Sequence, residues 1–516
     1  TINVGTFSLT GTGTRTLTMG SSAINVSGTG TAWNAGTLTN CTITANTATI
    51  TMSGSNATFL GATNWNGLSL VMNGSGSASL TAPFGTFANV TRTGTATKGD
   101  SLVIAAFTVT GTLTLNGDSA SNRLFVTSNS LLGIARTITN TGATMSWSNV
   151  DFRDVILSTA YDCSGITGGC GDAGGNSGIT FTTGQTNYWV GDAGNWSDVN
   201  EWASSSGGTA GTGRVPLPQD DVVFDNNSFS GDNSVSLDMP RLGKNIDASA
   251  YNEGNTPILA NNITNNTIYG SLTLNSNITS FSSSPNLTFE GRGAYTLTSA
   301  GKTFGPGTVS ISMVGGSLTL QDAYVGSFTL TLSYGTFDAN DFNVTAATVS
   351  ISGSNSRTLT MGTGTWTVTT IGTIWNASTA TNLTLNAETS TIVVSNTLAN
   401  AKFFTGGGLT YNNLNITGQN VTISSSNTFN TLSLNHGGQA IGTKFTTATT
   451  QTVSDFSTNG SAGNLVYASS TATTNATLTK TGGGTICLDY ISITDLTGSP
   501  SSTWYAGANS TDGGDN

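Results

Sequence analysis

Short pairs of apolar residues separated by one polar residue recur along this chain. They include Leu272/Leu274, Leu287/Phe289, Val309/Ile311, Phe328/Leu330, Val349/Ile351, Leu383/Leu385, Leu414/Ile416 and Leu432/Leu434, and most successive pairs lie 15 to 22 residues apart. Residues two apart in a strand share a face, so each pair predicts a short strand buried on one side. Gly, Asn and Ser between the pairs predict turns. The chain is thus expected to be all-β. A recurrence of about 20 residues fits one coil of a β-solenoid, or parallel β-helix. Each coil adds apolar residues to a thin spine, while Thr, Ser and Asn face outward or ladder with the next coil. The alternative is a string of β-sandwich domains, which would repeat about every 100 residues.

A longer repeat lies over the short one. Arg15–Gly20 (RTLTMG) returns as Arg357–Gly362, and Trp33-Asn34 returns as Trp375-Asn376, both at an offset of 342 residues. Ala48–Ile50 aligns with Ser390–Ile392, and Trp65–Leu68 with Tyr411–Leu414. Val150–Phe152 reads as the counterpart of Leu488–Tyr490, an offset of 338. Tandem modules of about 340 residues are therefore expected. Residues 1–187 read as the later part of one module and 230–516 as the body of a second, with a head at 188–229 between them. By this phasing the chain is a segment of a longer array, since Asp512–Asn516 (DGGDN) resembles the approach to a further head.

The head, YWVGDAGNWSDVNEWASSSGGTAGTGRVPLPQDDVVFDNNSF from Tyr188, is unlike its surroundings. Trp189, Trp196 and Trp202 concentrate large apolar area in few residues, which predicts a plug or cap between modules. Its pattern, Y-W-V-G-x-x-G-N-W-S-D followed by W, V-P, D-D-V and F-D, resembles the head of modules in very large tandem-repeat proteins of uncultured bacteria and tailed phages. The likeness extends to Arg357–Gly362, Ala462–Val466 (AGNLV) and Trp504–Gly514 (WYAGANSTDGG). It implies an extracellular or virion-surface repeat protein and brings no catalytic residues with it.

Composition narrows the reading. Only 8% of the residues are charged and 36% are hydrophobic, with 66 glycines, so one compact α/β core is not expected. Sustained alternation and periodic aromatics argue against disorder. The net charge of -11 opposes nucleic acid or anionic membrane as a partner, and no apolar run is long enough to insert in a bilayer. Cys163 and Cys170, in CSGITGGC, have a spacing that could close as a disulfide in an oxidising compartment. Cys41 and Cys487 read as small buried hydrophobes.

The candidate chemistry is sparse. The single histidine, His436, lies in the turn sequence Asn435–Gly438 and reads as an exposed loop residue. Asp151–Asp154 (DFRD) is the densest mixed-charge cluster, but its counterpart at 489–492 lacks the Arg and the second Asp. A glycan-cleaving pair of carboxylates therefore does not recur. Asp192, Asn195 and Asp198 in one loop, and Asp220, Asp221 and Asp225 after Pro218, are candidate Ca²⁺ ligands, although their spacing is not that of an EF-hand. The expected role is structural and non-catalytic: a stalk or adhesin-like filament whose partners are other copies or modules of the same fibre and cell-surface glycans. The alternatives are a phage tail fibre or tailspike that recognises host glycans, and a depolymerase.

Overall fold

In the computed structural model half of the residues are in strands and almost none in helix. The structure describes residues 1–513 except 37–39, 62–64, 82–84, 262, 264 and 283–285. Gly514–Asn516, the end of the predicted approach to a further head, lies outside the described residues. The chain is a β-solenoid, and it divides into two compact units. The first is Thr1–Ser230 with Val235–Ile246 and Thr267–Tyr269, and it includes the head; the second is Gly231–Ser234, Asp247–Asn266 and Gly270–Asn516.

In the first unit each coil visits three faces. One face stacks seven strands from Ile2–Val4 to Thr144–Ser148, a second stacks eight from Phe7–Ser8 to Cys170–Asp172, and the third holds Arg15–Thr18 with Cys41–Thr44 and later five strands ending at Ser177–Thr180. The pairing is parallel and in register. Ile2, Ile24, Ile50, Leu70, Val90, Leu113 and Met145 form one column, with partners 20 to 32 residues apart. Inward residues are apolar because alternation leaves every second side chain in the spine. A sandwich would pair its strands antiparallel. Among the described residues the antiparallel contacts are Tyr188–Trp189 against Trp202–Ala203 and the isolated bridge Ser461–Asn464.

Two corner devices recur. Gly5, Gly28, Gly54 and Gly74 stack, and a Cβ at any of the last three would strike the carbonyl oxygen of the glycine one coil before. At the next coil the corner is closed by the buried Arg92, which donates to the carbonyls of Gly74 (2.9 Å) and Gly76 (2.9 Å) and faces Asp100 at 3.7 Å. Elsewhere Asn and Asp take the left-handed backbone at strand ends, as at Asn149 (φ 47°) and Asp154 (φ 56°) on either side of Val150–Arg153.

The second unit is built the same way. Val309, Leu330, Val349, Trp375, Phe404, Ile423, Phe445 and Ser470 form one inward column, with partners 19 to 29 residues apart. Outward from it run Thr288, Ser310, Thr331, Ser350, Asn376, Thr405 and Ser424, an uncharged polar ladder. Thr308–Leu320 and Thr329–Asp338 are long strands that continue round a corner, with register breaks near Ser312. Phe328 departs from the expected pairing: it is 50% exposed, and the buried pair in that coil is Leu330/Leu332. Phe328 precedes the strand and sits in the turn, so alternation does not set its direction.

The long repeat is visible in side-chain detail. Arg15 and Arg357 each donate to the carbonyl four residues earlier, Gly11 and Gly353. Trp33 stacks on Phe59 with Trp65 edge-on, and Trp375 stacks on Phe404 with Tyr411 edge-on. One alignment needs correction. Val150 corresponds to Ile491, an offset of 341, not to Leu488. The left-handed residues Asn149 and Asp154 match Tyr490 and Asp495. The bonds Leu124 N–Asn149 O and Ala173 N–Phe152 O match Val466 N–Tyr490 O and Gly513 N–Ile493 O. The D-Y string of Asp489-Tyr490 imitates Asp151-Phe152 but falls three residues early, in the turn.

Candidate functional site: the tryptophan-rich head

The strand Thr186–Trp189 pairs with Asp221–Val223 on one side and Trp202–Ala203 on the other, so Trp189 faces Trp202 across the antiparallel pair. A short 3₁₀ turn, Val199–Glu201, is capped by the Asp198 side chain, which accepts from Asn200 N, and returns the chain for this pairing. Trp202 lies edge-on to Trp189 at 5.0 Å and to Trp196 at 4.9 Å, with Phe224 beside both of those partners. All three indoles are fully buried. Trp202 Nε1 donates to Trp196 O (2.9 Å) and Trp189 Nε1 to Asp192 O (3.2 Å).

Beneath the rings lies a polar hub. Asp220, fully buried, accepts from Gln185 N (3.0 Å), Leu217 N (2.9 Å), Asn187 Nδ2 (3.3 Å) and Arg214 Nε (2.7 Å), and it pairs with Arg214 Nη2 as well. Gln219 next to it does the work of a strand. Its Nε2 donates to Cys170 O (2.9 Å) and Thr182 O (2.8 Å), and its Oε1 accepts from Asp172 N (2.9 Å). Cys170–Asp172 is the last strand of the eight-stranded face, and a side-chain amide satisfies its open edge in place of a further strand. Sequence reading missed both Gln219 and Arg214. The proline bracket Pro216/Pro218 was the available signal, since it fixes the turn that presents them.

The six calcium candidates are not brought together. Asp220 and Asp221 are occupied by N–H donors, the latter by Asn245 Nδ2 at 2.7 Å. Asp225 accepts from Asn227 N (2.9 Å), Asp192 accepts from Ser230, Asp198 serves as the cap, and Asn195 lies in a two-residue strand. Among the described residues no group of three or more His, Cys, Asp or Glu could hold a metal ion. The loop also contains Glu201, whose carboxyl is pushed up by burial and then by the charges of Asp198 and Asp192.

Asp151 of the mixed cluster has a structural partner set. It is fully buried between Arg123, whose Nε is 2.8 Å away, and Arg241, whose Nε is 2.7 Å away. Arg241 also lies over the Phe125 ring at 4.8 Å. Asp154 stands apart from this triad and accepts from Gly133 N (2.9 Å). Cys163 and Cys170 are joined by a disulfide with Cα atoms 5.9 Å apart, and both are buried. Closing so short a loop removes few unfolded conformations. Reduction, or Cys163→Ala with Cys170→Ala, is expected to cost roughly 2–3 kcal/mol, read as a lower urea midpoint of the full chain. An unchanged midpoint would refute it.

His436 is 2% exposed, not a surface loop residue, because the following coil covers its turn. Its Nε2 meets Thr443 Oγ1 at 2.9 Å. Burial pushes the imidazole down from its ordinary range. The folded state thus favours neutral histidine, and stability is expected to fall as pH drops through the ordinary value of about 6.5. The melting temperature of His436→Gln should vary less between about pH 7.5 and 5.5 than that of the parent. Parallel curves would contradict this. Two other expectations fail: Cys41 is only half-buried, although it shares a strand face with Ile43, and Cys487 is exposed at an outward strand position.

The head is therefore a coil held by its ring cluster, its Asp220 hub and its Gln219 clasp, with the buried Trp196 Nε1 left without a hydrogen-bond partner. No family model, curated protein or solved structure matches the chain.

Proposed function

We propose that the chain is a structural segment of an extracellular fibre or surface filament, a stalk built from repeated modules whose role is mechanical. The supporting observation is the in-register stacking of coils, with apolar columns inward and uncharged Thr, Ser and Asn columns outward. Such a stack gains stability from each neighbour pair, so modules can be added without redesign. Partners are other modules of the same fibre, and weak polar contacts along the flank are multiplied by repetition. Electron microscopy of the native object should show a filament with features one module apart. A globular particle would dismiss the reading.

A second reading, a phage tail fibre gripping host glycans, is favoured by rings left on the outside. Phe328 is 50% exposed and Phe403 40%. Exposed aromatic faces suit the apolar faces of sugar rings. Binding to a glycan array that is lost on Phe403→Ser would select it over the first.

A further inference from the structure

In the first unit the loop 163–169 joins the strands Val155–Asp162 and Cys170–Asp172 without strand pairing of its own. Its carbonyls nevertheless anchor the coil beside it. Thr167 O accepts from Asn149 N (2.9 Å). Gly168 O and Gly169 O accept from the two terminal nitrogens of Arg123, the latter at 2.9 Å. At the end of the loop Cys170 O accepts from Gln219 of the head (2.9 Å). One short segment thus holds both the Arg123–Asp151–Arg241 set and the clasp.

The same segment is packed closely from two sides. Gly168 and Gly169 are both left-handed (φ 70° and 76°), and a Cβ at Gly168 would strike Asn149 Oδ1. On the head side, Leu217 Cδ1 lies 3.0 Å from the place of a Cβ at Gly169, and Pro218 Cδ 2.8 Å from that of a Cβ at Gly171. Consecutive glycines have more backbone freedom to lose than any other pair, so this shape is costly to hold. The Cys163–Cys170 disulfide supplies the constraint by closing the loop at its two ends. Both cysteines are fully buried, with Leu217 and Pro218 of the head on either side of Cys170. Sulfurs so covered cannot meet an oxidant once the head has closed, so oxidation precedes closure.

We propose that the Cys163–Cys170 disulfide is a redox latch for the head. The two thiols exchange with a small-molecule or protein disulfide. Two electrons and two protons pass to that partner, which leaves as two thiols, and the new bond fixes the carbonyls on which Gln219 and Arg123 close. Head closure then seals the sulfurs. In the reduced chain the loop relaxes, Gln219 loses Cys170 O, and the edge of Cys170–Asp172 is left open. An open edge recruits other strands, so the latch decides when this coil stops accepting them. The latch lies wholly in the first unit and owes nothing to the filament reading, so either can fail alone.

The test uses the full chain with Cys41→Ser and Cys487→Ser, so that Cys163 and Cys170 are its only cysteines. Native-state amide exchange is compared before and after dithiothreitol. Asp172 N donates to Gln219 Oε1 (2.9 Å), whereas Ile50 and Leu70 sit in the paired spine and report overall stability. On reduction, exchange at Asp172 is expected to accelerate at least about tenfold more than at Ile50 and Leu70, and oxidised glutathione should restore it. Adding Cys163→Ser and Cys170→Ser reads the open state independently of how fast the bond is reduced, and should match the reduced chain. Gln219→Ala in the oxidised chain should accelerate Asp172 and let dithiothreitol break the bond at least about tenfold faster, because the seal is loosened. Two results would overturn the latch. One is acceleration at Asp172 no greater than at Ile50 and Leu70, the mark of a cross-link that only stabilises. The other is reduction as slow in Gln219→Ala as in the parent.

Discussion

Asp151→Ala is expected to lower the unfolding free energy by about 3–5 kcal/mol, because it strands two buried guanidiniums that share one carboxylate. Arg123 would keep its carbonyl acceptors at Val150 (3.0 Å) and Gly169 (2.9 Å), but its charge would be uncompensated. Urea denaturation of the full chain, followed by tryptophan emission, measures the loss. A change under about 1 kcal/mol would end the argument. The pH dependence checks the same site. Burial by itself would raise the Asp151 carboxyl, but Arg123 and Arg241 outweigh it and hold the pKa below the ordinary carboxylate range. Its contribution is therefore complete above about pH 4 and disappears as pH falls through the lowered value. The gap between parent and Asp151→Ala should narrow in strong acid. The second module carries a related comparison: Ser492 and Leu465 stand where the first has Asp151 and Arg123. Ion and counter-ion are absent together there, as expected if only breaking the set is costly.

Trp202→Ala is the other large effect. It empties the centre of the ring cluster and leaves Trp196 O without its indole donor. Loss of a fully buried tryptophan costs about 3–5 kcal/mol. Because Trp202 faces Trp189 across the antiparallel pair, the opening should spread along Thr186–Trp189. Hydrogen exchange at Trp189 and Val222 is expected to accelerate by more than about a hundredfold, and unaltered exchange there would count against the cluster as the lock of the head. Trp202→Phe keeps much of the ring area, loses the N–H, and should cost about half as much.

The solenoid was legible because a two-residue period and a 20-residue recurrence are local properties of the string. Leu287/Phe289 and Leu432/Leu434 point inward as their alternation requires. Errors arose where position within the coil mattered. Phe328 has the right spacing but sits before its strand. Asp489-Tyr490 copies the letters of Asp151-Phe152 but not their backbone, which the left-handed residues at 490 and 495 reveal. His436 looked exposed because a turn sequence does not say whether the next coil will cover it. The head was recognisable from its tryptophans, but its joints were not. Asp151 meets Arg123 and Arg241 from 28 and 90 residues away, and Gln219 reaches Cys170 across 49, separations with no local pattern.

The buried cations at the corners bear on how such a chain finds its alignment. Threonine-rich strands are nearly interchangeable, and a coil threaded one place out of step would still form most of its ladder bonds. Arg92, Arg123 and Lys402 are not interchangeable. Lys402 donates to the carbonyls of Leu398, Asn400 and Gln419, a set found at one place only. A misthreaded coil would bury that ammonium against methyl groups, at a penalty far larger than a lost ladder bond. These few charges act as addresses written into a monotonous text, and they let a low-complexity polypeptide wind up the same way each time.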